Sequence, residues 1–324
     1  MNARSRSLVK VLYILGSSRC GSTVLANILG ELSGFFSGGE IRYLWERVLQ
    51  GRRCGCQRPV DQCDIWASVL SANGQDREHI EAISAFQREG IRLHRTPGLL
   101  RHSPARLLRS RSLASYVAAM SDVYERLGKV TAARVLVDSS KRASNGAVMR
   151  LIRGADPYFL HLVRDPRAVT YSNLRLKSNP DRDGGAEMPR TTAKFAAVHW
   201  LARNLAAEDV RRHYKAGRSL LLRYEDFVAE PKRTVDRIAE FLGERSSTTP
   251  FVDSRTVVLN TNHTVSGNPD RFTTGPVHIR IGGDWAHELN SRDRLITTAL
   301  TLPLLPRYGY QVRPPFDGPV PAVG

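Results

Sequence analysis

The stretch Leu15-Gly16-Ser17-Ser18-Arg19-Cys20-Gly21-Ser22-Thr23 decides the fold of this 324-residue chain. The apolar residues 10–15 predict a buried strand, and the pattern of residues 23–32 predicts a helix directly after the glycine-containing loop. Backbone N–H groups at a helix N-terminus point at an anion, so a loop in this position is a common phosphate-binding site. An ordinary glycine turn before a helix is the alternative interpretation of this segment alone.

The loop lacks the lysine of a nucleoside triphosphatase. Gly16 and Gly21 have the glycine spacing of such a loop, but Ser22 and Thr23 replace the lysine-hydroxyl pair that should follow. The cation that usually reaches the β and γ phosphates is therefore missing, and Arg19 within the loop is the remaining cation. This set suits a single terminal phosphate, with Arg19 facing the reacting group.

A second candidate anion site begins at Arg164, at the end of a predicted strand. Asp165 and Pro166 have the types of an N-cap and a first helical residue, and Ser172 follows about two helical turns later. An arginine and a hydroxyl are good partners for a phosphate. The two sites together predict a nucleotide with phosphates at two separate positions.

Strands alternate with helices along the chain. The predicted strands are 10–15, 135–137, 158–163 and 219–223; the predicted helices are 23–32, 166–176, 191–214 and 231–242, with a helical insertion at about 77–130. In helix 191–214, Phe195, Val198, Leu201 and Leu205 form one apolar stripe, and residues 173–190 are predicted to be a mobile loop. The alternation predicts an α/β fold, a P-loop-like doubly wound parallel sheet flanked by helices, with ligands at the carboxyl ends of the strands.

Composition favours a soluble globular protein, with 41% hydrophobic and 24% charged residues. We expect a single domain over residues 1–312 and a proline-rich tail at 313–324. No apolar run approaches the length that spans a bilayer, and the short run after the basic first residues fits a strand better than a signal peptide. The expected location is therefore cytoplasmic.

The net charge of +17 favours anionic ligands and partners. Arginine is dense over residues 92–111, which suits an acidic acceptor, a lipid head group at an anionic membrane surface, or nucleic acid. A solvated helical face is the simpler interpretation, and we favour it. Zinc-finger, aromatic RNA-binding and helix-turn-helix signatures are absent from the sequence, so no specific nucleic-acid partner is expected.

Three of the four cysteines, Cys54, Cys56 and Cys63, lie close together in the sequence. A zinc site needs a fourth ligand, and the closest histidine in sequence, His79, does not have a ligand-like spacing. A local disulfide and reduced structural thiols are both favoured over a metal, and the choice between them stays open.

These segments, in this order, resemble the PAPS-dependent sulfotransferase superfamily. The matching segments are the loop at 15–23, Arg164 to Ser172, Arg223-Tyr224-Glu225-Asp226-Phe227, and Gly283-Asp284-Trp285. They run from about residue 10 to residue 290. The resemblance implies an enzyme that transfers the sulfuryl group of 3′-phosphoadenosine-5′-phosphosulfate (PAPS) to a hydroxyl without a catalytic metal.

The resemblance also implies a set of donor-binding residues. Those assigned to the 5′ side are Ser18, Arg19, Cys20, Gly21, Ser22 and Thr23; those assigned to the 3′-phosphate are Arg164 and Ser172, and Tyr224 is expected near the adenine. The Arg-Lys-Gly element of the family is not reproduced at its usual spacing before Gly283. Arg280 and, as a substitute, Arg271 are its candidates here.

Three residues are candidates for the chemistry. Glu40, after Gly38 and Gly39, resembles the base segment of the tyrosylprotein and some bacterial carbohydrate sulfotransferases. Lys141 and Arg19 are the expected cations on the leaving phosphate. A surface carboxylate and a structural ion pair between Lys141 and Asp138 are the respective alternatives for Glu40 and Lys141.

A histidine base is the arrangement of aryl and steroid sulfotransferases, but Ala143 occupies that position here and leaves only His102 as a reserve base. A carbohydrate, a glycolipid, a phenolic or other secondary metabolite and a peptide tyrosine are all open as acceptors, and by analogy the Glu base favours a sugar or lipid-linked hydroxyl. The alternative functions are a degenerate P-loop kinase or NTPase, disfavoured by the missing lysine, and a basic nucleic-acid-binding protein.

Overall fold

A parallel sheet forms the centre of the molecule in the computed structural model, which describes residues 8–71, 76–175, 191–245 and 248–312. Its strands are β1 Val9–Gly16, β2 Phe35–Gly39, β3 Val135–Lys141, β4 Ala155–Val163 and β5 Ser219–Arg223. Their order is β2-β3-β1-β4-β5, and all neighbours are parallel. The predicted fold class is confirmed.

Strand β2 is the one strand of this sheet that the sequence did not reveal. The segment Phe35–Gly39 contains only two apolar residues, followed by a serine and two glycines, so it lacks the run of β-branched residues typical of a buried strand. It pairs with β3 through Phe35 to Gly39. This edge position matters, because it carries the chain directly to Glu40.

Helices cover both faces of the sheet. They are α1 Ser22–Gly30, α2 Leu44–Leu49, α3 Asp64–Ser71, α4 Arg77–Gly90, α5 Thr96–Arg101, α6 Pro104–Leu107, α7 Arg111–Thr131, α8 Ala143–Val148, α9 Pro166–Leu174, α10 Ala193–His213, α11 Tyr224–Ala229, α12 Pro231–Phe241, α13 Trp285–Glu288 and α14 Ser291–Thr301. A two-stranded antiparallel ribbon is formed by β6 Thr256–Leu259 and β7 Gly275–His278. The predicted insertion at 77–130 corresponds to α4 through α7.

The side chains of β1 alternate between two core clusters. Val11, Tyr13 and Leu15 pack with residues of α3, α4 and α7, whereas Leu12 and Ile14 pack with residues of α1 and α12. All five side chains are at most 1% exposed. Burial on both faces is what makes this central strand a continuous apolar run in the sequence.

The apolar stripe predicted on the long helix is not its buried face. In α10, Phe195, Val198 and Leu205 are 50%, 44% and 46% exposed. The buried face instead carries Ala196, Ala197, Trp200, Asn204, Ala207, Glu208 and Val210. Small alanine side chains let α10 approach its neighbours, and Trp200 Nε1 donates a hydrogen bond to the carbonyl oxygen of Arg164 at 2.9 Å. The periodicity of the apolar residues identified an apolar stripe on the helix, but it did not show which face of the helix is buried.

Two predictions fall on residues outside the described parts of the chain, namely most of the loop at 173–190 and the tail at 313–324. The division into one domain and a tail stays a prediction. Among the described helices, none combines the length and hydropathy that a membrane span requires.

Candidate active site

A cleft of about 260 Å³ lies at the carboxyl ends of the parallel strands. Each of the five strands brings one element to it: the phosphate loop follows β1, Glu40 follows β2, Lys141 ends β3, Arg164 follows β4 and Tyr224 follows β5. Parallel strands end at one edge of a sheet, so residues far apart in sequence meet there. The cleft thus combines the two anion sites and the candidate catalytic residues.

The loop after β1 wraps the N-terminus of α1. Gly21 has a φ of 90°, and a Cβ at this position would lie 2.3 Å from the ring of Tyr224. Ser18, Arg19, Gly21, Ser22 and Thr23 line the cleft. The backbone N–H groups at the start of α1 therefore face a cavity, as phosphate binding requires.

Cys20 is the one predicted donor-binding residue of this loop that does not line the cleft. Its side chain is fully buried, and burial raises the pKa of its thiol. The predicted contact of Cys20 with the donor can thus involve only its backbone. Its side chain anchors the loop from below, 3.5 Å from the position that a Cβ on Gly16 would occupy.

Arg19 is held by a segment that sequence reasoning missed. Its Nη1 donates to Oδ1 of Asn268 at 2.6 Å, and the backbone N–H of Asn268 donates to Oγ1 of Thr23 at 3.2 Å. Burial lowers the pKa of Arg19, although a guanidinium remains charged at neutral pH. Gly267, Asn268 and Asp270 line the cleft. The turn at Asn268-Pro269-Asp270 was visible in the sequence, but nothing there indicated its partner 249 residues earlier.

Glu40 and Lys141 form an ion pair at the adjacent ends of β2 and β3. Lys141 Nζ lies 2.6 Å from Oε1 of Glu40, and the side chains are only 9% and 15% exposed for Lys141 and Glu40 respectively. Burial by itself would raise the pKa of Glu40, but the charges of Lys141, Arg42 and Arg47 outweigh burial and lower this pKa. The carboxylate is therefore ionised, as a general base must be.

Neither alternative interpretation of this pair matches the structure. Glu40 is not a surface carboxylate, and its backbone N–H donates to the carbonyl oxygen of Ser266 at 2.9 Å. Lys141 pairs with Glu40 instead of Asp138, which accepts hydrogen bonds from Tyr124 at 2.5 Å and from Ser140. Lys141 also has a φ of 67°, an uncommon conformation for a non-glycine residue that surrounding contacts must maintain.

The second anion site is built at the start of α9. Arg164 Nη1 donates to the carbonyl oxygen of Arg19 at 3.1 Å, and its guanidinium lies 4.5 Å from the ring centre of Tyr224. Asp165 caps α9 by accepting from the N–H of Arg167 at 2.8 Å, as predicted. Ser172 lies further along the same helix and lines the cleft. Cation and hydroxyl thus share one wall, with an aromatic ring beside them.

The segment Gly283-Asp284-Trp285 packs on the same helix. The ring of Trp285 lies 5.1 Å from the guanidinium carbon of Arg167, and Tyr171 donates a hydrogen bond to Glu288. A Cβ added to Gly282 would be 3.9 Å from Nη2 of Arg164. The segment therefore lies next to the second anion site.

Besides Cys20, three predicted residues are not brought into the cleft. Arg271 is 1% exposed, and its guanidinium donates to the carbonyl oxygens of Thr264 and Arg53 at 2.8 and 2.7 Å. Arg280 is exposed beyond β7, and His102 is exposed between α5 and α6. None of the three lines the cleft. The contacts of Arg271 make it a connector between two loops.

The described lining residues fit an anionic ligand with two phosphate groups. The lining includes Arg19, Lys141 and the N-terminus of α1, and also Arg164, Ser172 and the ring of Tyr224. Arginine and helix N-termini are the usual phosphate partners in proteins. The fold and the cleft together are typical of α/β proteins that bind phosphate-bearing ligands at the strand ends.

A family model described as the sulfotransferase family matches residues 12–247. This match covers more than half of the chain, so the chain belongs to the sulfotransferase family, whose enzymes transfer sulfate. The family implies PAPS as the sulfate donor. The predicted membership is confirmed, and it sets aside the kinase and nucleic-acid-binding alternatives.

A solved structure shows the same fold. The sulfotransferase domain from the curacin biosynthetic pathway is 18% identical, with a TM-score of 0.50 over 95% of this chain and 100% of that chain. The sulfotransferase domain from the Synechococcus PCC 7002 olefin synthase is 20% identical, with a TM-score of 0.49 over 94% of this chain and 97% of that chain. At 18% identity the likeness to the curacin-pathway domain concerns the fold alone. No curated protein matches the chain significantly.

Proposed function

We propose that this enzyme transfers the sulfuryl group of PAPS to a hydroxyl of a carbohydrate, lipid-linked or secondary-metabolite acceptor, with Glu40 as the general base. One observation carries the proposal: a buried, ionised carboxylate shares a single cleft with Arg19, Lys141 and the phosphate loop. A base beside several cations is what an in-line transfer to a hydroxyl requires.

The donor is bound at its two phosphate ends in this proposal. Backbone N–H groups at the start of α1, with Ser22 and Thr23, bind the 5′-phosphate, and Arg164 and Ser172 bind the 3′-phosphate. The contact between Tyr224 and Arg164, 4.5 Å from ring centre to guanidinium carbon, supports a role for Tyr224 beside the adenosine. Arg271 is left out, because its guanidinium is already hydrogen-bonded to two carbonyl oxygens.

Glu40 accepts the proton of the acceptor hydroxyl as the acceptor oxygen forms its bond to sulfur. The bond between sulfur and the bridging oxygen of the 5′-phosphate breaks at the same time, and its electron pair leaves with adenosine 3′,5′-bisphosphate. Lys141 and Arg19 stabilise the charge that builds on that oxygen. Because Lys141 also contacts Glu40, the base and a charge-stabilising cation are coupled.

Two further arginines favour an acceptor that carries an anionic group, and one of them, Arg203, is close enough to Glu40 for their charges to interact. Arg142 directly follows Lys141, and Arg203 projects from α10; both are partly buried. Their guanidinium groups make no hydrogen bond or ion pair with other described residues, and burial, together with the charge of Arg42, lowers the pKa of each. Buried cations are usually paired. In this proposal a phosphate, sulfate or carboxylate on the acceptor pairs with one or both of these guanidinium groups.

Two experiments test the proposal. Calorimetry with adenosine 3′,5′-bisphosphate is expected to give clear binding, and labelled sulfate from PAPS should be transferred to hydroxyl acceptors in the presence of EDTA. Absence of measurable bisphosphate binding by folded protein would overturn the donor assignment. Transfer that requires added Mg²⁺ would overturn the mechanism.

Acceptor charge is tested with a neutral glycoside and the same glycoside carrying a phosphate. We expect kcat/KM to be higher for the phosphorylated acceptor, and Arg203→Ala to remove this preference without changing the Kd for adenosine 3′,5′-bisphosphate. Arg212→Ala, on the exposed face of the same helix, is the matched control. Equal kcat/KM for both acceptors in the unaltered enzyme would contradict the anionic-acceptor assignment.

A further inference from the structure

Three cysteines and a histidine from distant parts of the sequence meet beside the cleft. Cys54 and Cys56 follow α2, Cys63 immediately precedes α3, and His263 lies on the segment after β6. Their ligand atoms all lie within 4.8 Å of one another, and Sγ of Cys63 is 3.2 Å from Nδ1 of His263. All three cysteines are free thiols. The fourth ligand that was not found near them in the sequence is thus supplied 200 residues later.

We propose that Cys54, Cys56, Cys63 and His263 bind one Zn²⁺ ion as a structural site. Three thiolates and one imidazole are a common tetrahedral zinc ligand set. A Zn–S bond of about 2.3 Å places the sulfurs of such a set about 3.8 Å apart, so the observed cluster needs only small side-chain adjustments. Thiolate ligands favour zinc over hard cations such as Mg²⁺.

Backbone N–H groups support thiolates at this cluster. The N–H groups of Ile65 and Trp66, in the first turn of α3, lie near the Cys63 sulfur, and those of Cys56 and Arg58 lie near the Cys54 and Cys56 sulfurs. A helix N-terminus stabilises a thiolate in the same way.

The two loops that carry the ligands are held together independently of the thiols. The indole Nε1 of Trp66 donates to the carbonyl oxygen of His263 at 2.6 Å. The N–H of Gly55 donates to the carbonyl oxygen of Thr264 at 2.9 Å. A Cβ on Gly55 would lie 2.0 Å from Oδ1 of Asn262, so only glycine permits this approach. Arg271 bridges the same loops through the carbonyl oxygens of Arg53 and Thr264. Such bonds orient metal ligands before the ion binds.

The proposed ion is structural because the protein supplies all four ligands and leaves no position for a substrate. Its effect on the cleft is indirect. The segment that carries His263 continues to Ser266, whose carbonyl oxygen accepts from the N–H of Glu40, and to Asn268, which accepts from Arg19. Fixing His263 therefore restrains the segment that orients the proposed base and the proposed loop cation.

Metal analysis of the untagged full-length chain, purified without chelator, tests the site. We expect about one zinc ion per chain by mass spectrometry, with Cys56→Ser and His263→Ala each reducing the content severalfold. His278→Ala, a histidine on β7 outside the cluster, is the matched control and should retain the metal. Metal content is read without any activity assay, so the result is independent of the sulfuryl-transfer proposal.

Cobalt reconstitution covers the case in which the variants fail to fold. Chelator-treated unaltered protein is titrated with Co²⁺, and thiolate-to-cobalt charge transfer with the strong visible bands of a tetrahedral site is expected at one equivalent. A folded protein that contains no zinc, gives no such spectrum and has four titratable thiols would overturn the proposal. A disulfide within the cluster in protein purified without oxidant would overturn it as well.

Discussion

Lys141 Nζ lies 2.6 Å from Oε1 of Glu40, across the adjacent ends of β2 and β3. A buried carboxylate without a counter-ion would be neutral, because desolvation disfavours its charged form. Here the cation keeps Glu40 ionised despite burial. The pair thus links the proton acceptor of the proposed reaction to one of the charges that stabilise its leaving group.

Glu40→Gln is expected to lower kcat by about 100- to 10,000-fold, the range of a lost general base. The amide has nearly the same shape, so calorimetry should give an unchanged Kd for adenosine 3′,5′-bisphosphate. Glu46→Gln, on α2, is the control and should retain full turnover. A kcat for Glu40→Gln near that of the unaltered enzyme would exclude Glu40 as the base.

Lys141→Met is expected to move the acidic limb of the kcat/KM profile to higher pH. Glu40 remains buried in this variant but loses the charge that lowers its pKa most, so its pKa rises and protonation inactivates the base at a higher pH. The residual activity is measured across the acidic range. Lys129→Met, which removes the exposed partner of Glu125, should leave the profile unchanged, and an unshifted limb in Lys141→Met would contradict the coupling.

The same pair predicts how stability depends on pH. The pKa of Glu40 is lowered on folding, so its contribution is fully present above the unfolded pKa and is lost as pH falls through the lower folded value. In urea titrations from neutral to acidic pH, the free energy of unfolding of the unaltered protein should therefore fall further than that of Glu40→Gln. The variant has no Glu40 carboxylate to protonate. Parallel losses in both proteins would argue against a lowered pKa.

Arg164→Ala is expected to weaken adenosine 3′,5′-bisphosphate binding by about 10- to 150-fold, equivalent to the 1.5–3 kcal/mol of a charged hydrogen bond. Adenosine 5′-monophosphate lacks the 3′-phosphate, so its Kd should change much less. Calorimetry with both nucleotides separates a lost 3′ contact from general damage to the cleft. Arg153→Ala, at an exposed arginine, is the control; equal losses for both nucleotides would refute the 3′ assignment.

Gly21→Ala is expected to weaken bisphosphate binding by about tenfold or more, because the new Cβ would collide with the ring of Tyr224 in a packed site. Gly217→Ala is a matched control for backbone strain. Its φ of 81° is close to the 90° of Gly21, but nothing lies within 4 Å of its added Cβ, so it costs only about 1 kcal/mol of conformational strain. Similar binding by both variants would show that the collision is relieved without moving the loop.

Much of the donor side of the cleft could be predicted from short segments. Ser22 and Thr23 follow a strand and open a helix, and Arg164 follows another strand, so their places are set by hydrogen bonds within a few residues. Parallel strands then bring these ends to one edge of the sheet. Strand β2 escaped prediction because Phe35–Gly39 has little apolar content and gains its structure by pairing with β3.

The sequence by itself determined the strand–loop–helix units, the α/β class and the family, since each depends on local patterns of apolar, glycine and charged residues. Only the tertiary structure decided that Asn268 holds Arg19, that Arg271 joins two loops, and that His263 completes the cysteine cluster. These contacts join residues about 200 or more positions apart. Bringing such distant residues together costs chain entropy, and burial of apolar surface across the whole core offsets this cost. No short motif in the sequence therefore indicates which of these residues meet.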